Sequence, residues 1–259
     1  VFRQCRRKFF LSEVLPTHHH TNTLRRKAFE LKNTLNLKMW AGTVVDKYLS
    51  NELIPAIKQN QSLDFDRFAE EAVGLAQAQF NFSAQGLYRN KTKEAAGIIY
   101  CILDIHELGQ PYTPDDLNNV YATIRQSILN IPRIRMPNGQ LLLDYLQQAF
   151  SLYPDVTTRH TRIEGAFVAP QIDLLAYVQG KPVVFDWKVS LSETSDYSRQ
   201  LVIIGLTILR HRNLVKRDKR PYQHNDIRLY EVNLIQEGGY VREHDFNQER
   251  ANEILDDIN

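Results

Sequence analysis

The sequence predicts an α/β fold, a mixed β-sheet flanked by helices with a large helical insertion. Three observations predict it. Helix formers with apolar residues at three-and-four spacing dominate the first 155 or so residues. Beyond Pro154 the pattern turns to β-branched and aromatic runs separated by short turns. The 259 residues make one large domain or two small ones, and 43% hydrophobic with 24% charged residues suits a globular chain able to bury a sizeable core.

In chain order, residues 24–53 are dense in helix formers and free of proline, so one helix is expected, ended by Pro55. A second begins after Ser62, where Phe65, Phe68, Ala69, Ala72, Val73 and Ala76 form one apolar stripe. Residues 85–108 read as a third helix, stopped by Gly109. Thr113-Pro114-Asp115-Asp116 then offers an N-cap, a first-turn proline and two acids near the positive end of a helix dipole. After the Asn138-Gly139 turn, residues 141–152 read as a short helix closed by Pro154. Residues 157–169, 172–178 and 182–189 read as a three-stranded meander, the last two strands joined by Gln179-Gly180-Lys181. A helix over 195–212, a strand over 227–235, a Gly238-Gly239 turn and a helix over 247–257 complete the chain. The expected organisation is an N-terminal helical part of the core (1–60), a helical insertion (61–155) and a segment carrying the meander, a helix and a strand (156–259).

A net charge of +2 is too small to predict nucleic-acid binding by itself. Its distribution says more. Cations cluster at Arg6-Arg7-Lys8, at Arg25-Arg26-Lys27, and at Arg210, Arg212, Lys216, Arg217, Lys219 and Arg220. These are candidate phosphate contacts, and solvated loops and helix ends are the other reading. The longest uncharged apolar run, residues 201–209, is about half of the ~20 residues a membrane-spanning helix needs. Early charge speaks against a secretory leader, and Cys5 and Cys101 allow at most one bridge, so a reduced, cytoplasmic protein is expected. The first residue is Val, which suggests a trimmed or partial chain. Gly180-Lys181 lacks the surrounding residues of a phosphate-cradling loop.

The chemistry concentrates in Ile172-Asp173 and in Val183-Val184-Phe185-Asp186-Trp187-Lys188. Strand alternation puts Asp186 and Lys188 on one face and Phe185 and Trp187 on the other. The turn at Gly180 lets Asp173 approach the same face from the neighbouring strand. Two carboxylates can hold a hard divalent cation together with waters and a phosphate oxygen, and a lysine beside them can orient or polarise the attacking water. An ordinary surface ion pair is the bland alternative. An acid placed directly after Val183-Val184-Phe185 favours the functional one, because a buried strand seldom carries unpaired charge.

These motifs resemble the catalytic signature of the PD-(D/E)XK nuclease superfamily, especially its RecB-like and CRISPR-associated RecB-like exonuclease branch. The opening Cys5-Arg6-Arg7-Lys8-Phe9-Phe10-Leu11 is similar to the branch's N-terminal segment, without its proline. Gly42-Thr43-Val44-Val45-Asp46 resembles its G-x-x-x-H helix motif, with Asp46 in place of His. Gln200 matches the Gln of its Q-x-x-x-Y motif, with Ile204 in place of Tyr, and Gln171 replaces the usual glycine before Ile-Asp. The resemblance implies a restriction-endonuclease-like αβββαβ core and a DNA nuclease dependent on Mg²⁺ or Mn²⁺, serving repair, recombination or phage defence. It implies that Asp173, Asp186 and the Trp187 carbonyl bind metal, that Lys188 positions water, and that Gln200 supports the site or the DNA backbone. Asp46 is a further candidate ligand or a solvent-facing helix acid, and Glu164 is another acid that could enter the site. Only Cys5 matches the branch's cluster-binding cysteines and Cys101 reads as a buried small hydrophobe, so no iron–sulfur cluster is expected. His18-His19-His20 reads as a polar loop. DNA is the expected partner, with a helicase or other protein beside it and no membrane. A catalytically inactive nucleic-acid-binding or assembly module is the alternative, and an RNA-directed enzyme is a third reading.

Overall fold

The computed structural model describes residues 6–16, 22–163, 165–190, 197–215 and 220–258. They form two compact units, Val1–Val44 with Glu70–Ile124, and Val45–Ala69 with Arg125–Asn259. The helices α1 (Thr23–Lys32), α2 (Leu37–Tyr48), α3 (Phe65–Ala84) and α4 (Pro114–Asn130) come first. The capping sequence at Thr113 works as expected, since its hydroxyl accepts from the Asp116 N–H at 3.2 Å and donates to the Asp116 carboxylate at 2.7 Å.

Two helical expectations fail in the first 110 or so residues, for local reasons. The stretch 24–53 is interrupted, because Asn33 and Thr34 turn their side chains back onto the carbonyls of Phe29 and Glu30, and Asn36 caps a new helix at the Met39 N–H. Pro55 does not end the second piece either. It sits in the first turn of Ile54–Lys58, which continues α2 through a π-helical turn, Leu49–Leu53. The stretch 85–108 is no helix. Gly86 and Gly97 adopt φ of +64° and +59°, only the short α-helices Lys93–Ala96 and Asp104–Glu107 and the 3₁₀ turns Leu87–Arg89 and Gly97–Ile99 form, and extended chain at Ile102 accepts the Leu35 N–H. Trp40, fully buried, donates its indole N–H to Gln79, whose amide donates to the Ile98 carbonyl.

The second unit holds a mixed five-stranded sheet with helices. Its elements are α5 (Leu142–Gln147), β1 (Ser151–Val156), β2 (Thr161–Ile163), β3 (Ala166–Val168), β4 (Ile172–Val178), β5 (Lys181–Lys188), α6 (Ser198–Val215), β6 (Arg228–Asn233), β7 (Tyr240–His244) and α7 (Gln248–Ile258). The strand order is β1-β4-β5-β6-β7, antiparallel throughout except for the β5–β6 pair. Here the expected meander is corrected. Its first strand is Ser151–Val156, where a helix closed by Pro154 was expected, and 157–169 instead makes the separate hairpin β2–β3. Pro154 is tolerated because β1 is an edge strand. Strand β7 is an addition the sequence did not suggest.

The central strands β4, β5 and β6 are buried on both faces. Leu175, Val184 and Leu229 pack on Leu201, Ile204 and Ile208 of α6. On the opposite face the Phe185 ring lies 5.4 Å from Tyr230 and 6.1 Å from Tyr145. No described helix is long and apolar enough to cross a membrane. Removing the fully buried ring with Phe185→Ala should lower the unfolding free energy by about 3–5 kcal/mol. Phe150→Ala, at a residue 91% exposed, should change it by less than about 0.5 kcal/mol. Urea titrations of both variants check the contrast, and equal losses would contradict this account of the core.

Candidate active site

Strand β5 is apolar and buried from Pro182 to Phe185, and Asp186 continues the run at 2% exposure. Alternation works as expected. The Phe185 and Trp187 rings stack on one face at 6.0 Å, while Asp186 and Lys188 form an ion pair on the other. The Lys188 ammonium also lies 4.1 Å from the centre of the Tyr197 ring, which holds it over the site.

Register brings the second acid in. Leu174 pairs with Phe185, so one step further puts Asp173 opposite Asp186 on the same face. The Asp173 carboxylate accepts the Trp187 N–H at 2.8 Å, and the Gln200 amide donates to Asp186 Oδ1 at 3.2 Å. Asp46, on α2, joins this field, and its Oδ1 is buried with no hydrogen-bond partner.

The same rung of the sheet carries more acid than the sequence suggested. Glu231 on β6 pairs with Asp186 in register, is 3% exposed, and is bonded to His244 at 2.9 Å. Arg242 on β7 is its partner in the next register, 3.9 Å away. On the other side Asp155 lies on β1 between the paired residues Pro154 and Val156, held by the Gln171 amide at 2.9 Å. The signal that exposes Asp186, a charge inside an apolar strand, was present for Glu231 in Leu229-Tyr230-Glu231-Val232. No comparable signal marked Asp155 or Tyr197.

Crowding carboxylates in a buried place raises their proton affinity. Burial, then Asp186 and Asp46, push Asp173 up to about 8. Burial, then Asp155 and Asp186, push Asp46 up to about 6. Asp186 also moves up by burial, against the opposing pull of Lys188. A divalent cation would relieve the same repulsion. Among the described residues no group of three or more His, Cys, Asp or Glu side chains is suited to caging a metal alone. A Mg²⁺ site needs fewer, since one or two carboxylates with waters and substrate oxygens suffice.

The basic residues separate into different surroundings. Arg25 donates to the Leu15 carbonyl, and Arg26 pairs with Glu30 and bonds the Tyr88 carbonyl, all within the first unit. In the second unit Arg210 donates to the Arg162 carbonyl, and Arg212 bonds the Arg220 carbonyl while lying over the Tyr222 ring at 4.6 Å. Lys216, Arg217 and Lys219 lie outside the described residues, as do Glu164, Cys5 and His18 to His20. Cys101 is buried. Compared with known proteins, the chain matches no family model and no curated protein.

The raised proton affinities set the sign of a pH effect. Unfolded, these aspartates release their protons near the ordinary 3.8, whereas the folded chain holds one to about pH 8 and another to about 6. The folded state therefore binds more protons in that window, and their contribution to stability, complete below about pH 4, is lost as pH rises toward 8. The thermal midpoint of the metal-free chain should fall from pH 5 to pH 8, and Asp173→Asn should flatten the fall. A midpoint rising over this interval in EDTA would contradict the assigned crowding.

Proposed function

We propose that the protein is a metal-dependent nuclease that hydrolyses phosphodiester bonds in DNA. The observation that carries this reading is the meeting of Asp173, Asp186 and Lys188 on one sheet face, with Gln200 bonded to Asp186. Those four residues are among the ones that the resemblance to PD-(D/E)XK nucleases singles out. The helix, antiparallel strands, helix and parallel strand around them agree with the core expected of such enzymes.

Asp173 and Asp186, with the Trp187 carbonyl, would hold Mg²⁺ or Mn²⁺, and Asp46 stands near enough to share their field. The cation would supply a more acidic bound water and neutralise charge on the phosphate. The protein's own residues do the positioning. The Trp187 N–H fixes the Asp173 carboxylate, Gln200 orients Asp186, and Tyr197 keeps the Lys188 ammonium above the acids, where it can align an attacking water. Glu231, bonded to His244, adds negative field behind Asp186.

A second reading, a nucleic-acid-binding module without cleavage, is favoured by Asp46 and the 1% exposed Ile204, which stand where the resemblance would put His and Tyr. Cleavage of labelled single- and double-stranded DNA in Mg²⁺ or Mn²⁺ decides between them. The wild type should cut, and Lys188→Ala and Asp186→Asn should each lose at least about a hundredfold in rate, in keeping with the loss of one preorganised electrostatic group. Metal-independent cutting, or cutting unchanged in both variants, would overturn the assignment. DNA binding with no cutting by the wild type would favour the binding module.

A further inference from the structure

A cavity of about 780 Å³ opens on the sheet face that carries the acids, toward the other end of the strands. Its wall comes from the edge strand β1, the end of β4, the C-terminal half of α6 and Tyr222. Four aromatic rings line it. Tyr153 and Tyr177 meet edge to face at 6.1 Å, and Tyr222 lies beneath the Arg212 guanidinium at 4.6 Å. Phe150 is 91% exposed and Tyr153 47%, yet neither is on a loose tip. The Phe150 N–H bonds the Tyr177 carbonyl at 2.8 Å, and Tyr153 pairs with Leu175 in the sheet.

The fixed charges of the lining have one sign. They come from Arg159 and Arg212, beside the His211 imidazole, and no acid lines the cavity. Among the described residues no carboxylate pairs with Arg159 or Arg212. The Arg159 guanidinium instead lies 3.4 Å from His211, and Arg212 bonds the Arg220 carbonyl. Rings that offer flat faces beside guanidinium groups match a nucleobase and its phosphate. A duplex keeps its bases stacked inside, so only an unpaired base could reach these rings.

Position ties this cavity to the acids. Tyr177 shares its strand face with Asp173, four residues and about 13 Å away. The helix α6 carries Gln200 at the acidic end and His211 with Arg212 at the cavity end. We infer that the cavity formed by Phe150, Tyr153, Tyr177, Tyr222 and Arg159 holds one nucleotide of a single strand whose continuation reaches the aspartates. This rests on the nuclease reading for what happens at the aspartates, though not for the binding itself.

The test is anisotropy of a labelled oligothymidylate with the full chain in EDTA, where nothing is cut. Phe150→Ala and Tyr153→Ala should each weaken single-strand binding by about fivefold or more, their circular dichroism unchanged. Binding of a blunt duplex should be unaffected by either. Arg159→Ala should weaken binding and reduce the salt slope by about one phosphate's worth. Single-strand binding unchanged in the Phe150→Ala/Tyr153→Ala double variant would overturn the inference, and so would an equal loss for duplex and single strand. Thymidine monophosphate binding that depends on Tyr153, with oligonucleotide binding indifferent to it, would assign the cavity to a free nucleotide and overturn the strand. The two readings fail separately. Wild-type cutting without ring-dependent binding leaves the nuclease standing alone, and ring-dependent binding without cutting leaves only the cavity.

Discussion

The register between β4 and β5 is the constraint on which the site depends. It is set by the two-residue turn at Gln179 and Gly180, whose φ values of +51° and +77° suit the tight connection of a twisted hairpin. A slip of one residue would send Asp173 to the face of Phe185 and Trp187 and leave Asp186 facing an apolar neighbour. The buried rings of Phe185, Tyr230 and Tyr145, with half-buried Trp187 stacked on Phe185, oppose any such slip, because they would lose their cover. Packing on one face thus fixes the electrostatics of the other.

That electrostatic arrangement works against the stability of the fold. Burying Asp173, Asp186 and Asp46 within each other's field raises their proton affinity, and Lys188, Lys47, Gln200 and the Trp187 N–H offset it only in part. A cluster held in this way has greater affinity for a proton or a cation than separated carboxylates would. Such tension is typical of places where chemistry is done.

The hairpin and its acids were legible in the sequence because β-branched residues, a Gln-Gly turn and strand alternation all pointed the same way. So were α4 and α7, whose starts or amphipathic patterns are plain. What escaped was decided by non-local pairing or by local hydrogen bonding that propensity does not weigh. β1 was hidden by Pro154, an apparent helix stop that an edge position tolerates. β7, with Arg242, Glu243 and His244, lacks an apolar run and exists because β6 pairs with it. The stretch 85–108 has helix formers enough, yet Gly86 and Gly97 turn the chain at positive φ. Asp155 could enter the site only once β1 was known to be a strand.

The two outer strands also bear on how the protein behaves among its own copies. A sheet edge with regular, unused amide groups is a template onto which another chain can add. Here β1 has no amide hydrogen at Pro154 and bends at Asp155, where φ is +47°, while β7 ends in Arg242, Glu243 and His244. Neither rim offers the flat, uncharged ladder that edge-to-edge association requires. The proline that disguised β1 as a helix stop therefore also helps to keep a five-stranded sheet from growing into a longer one.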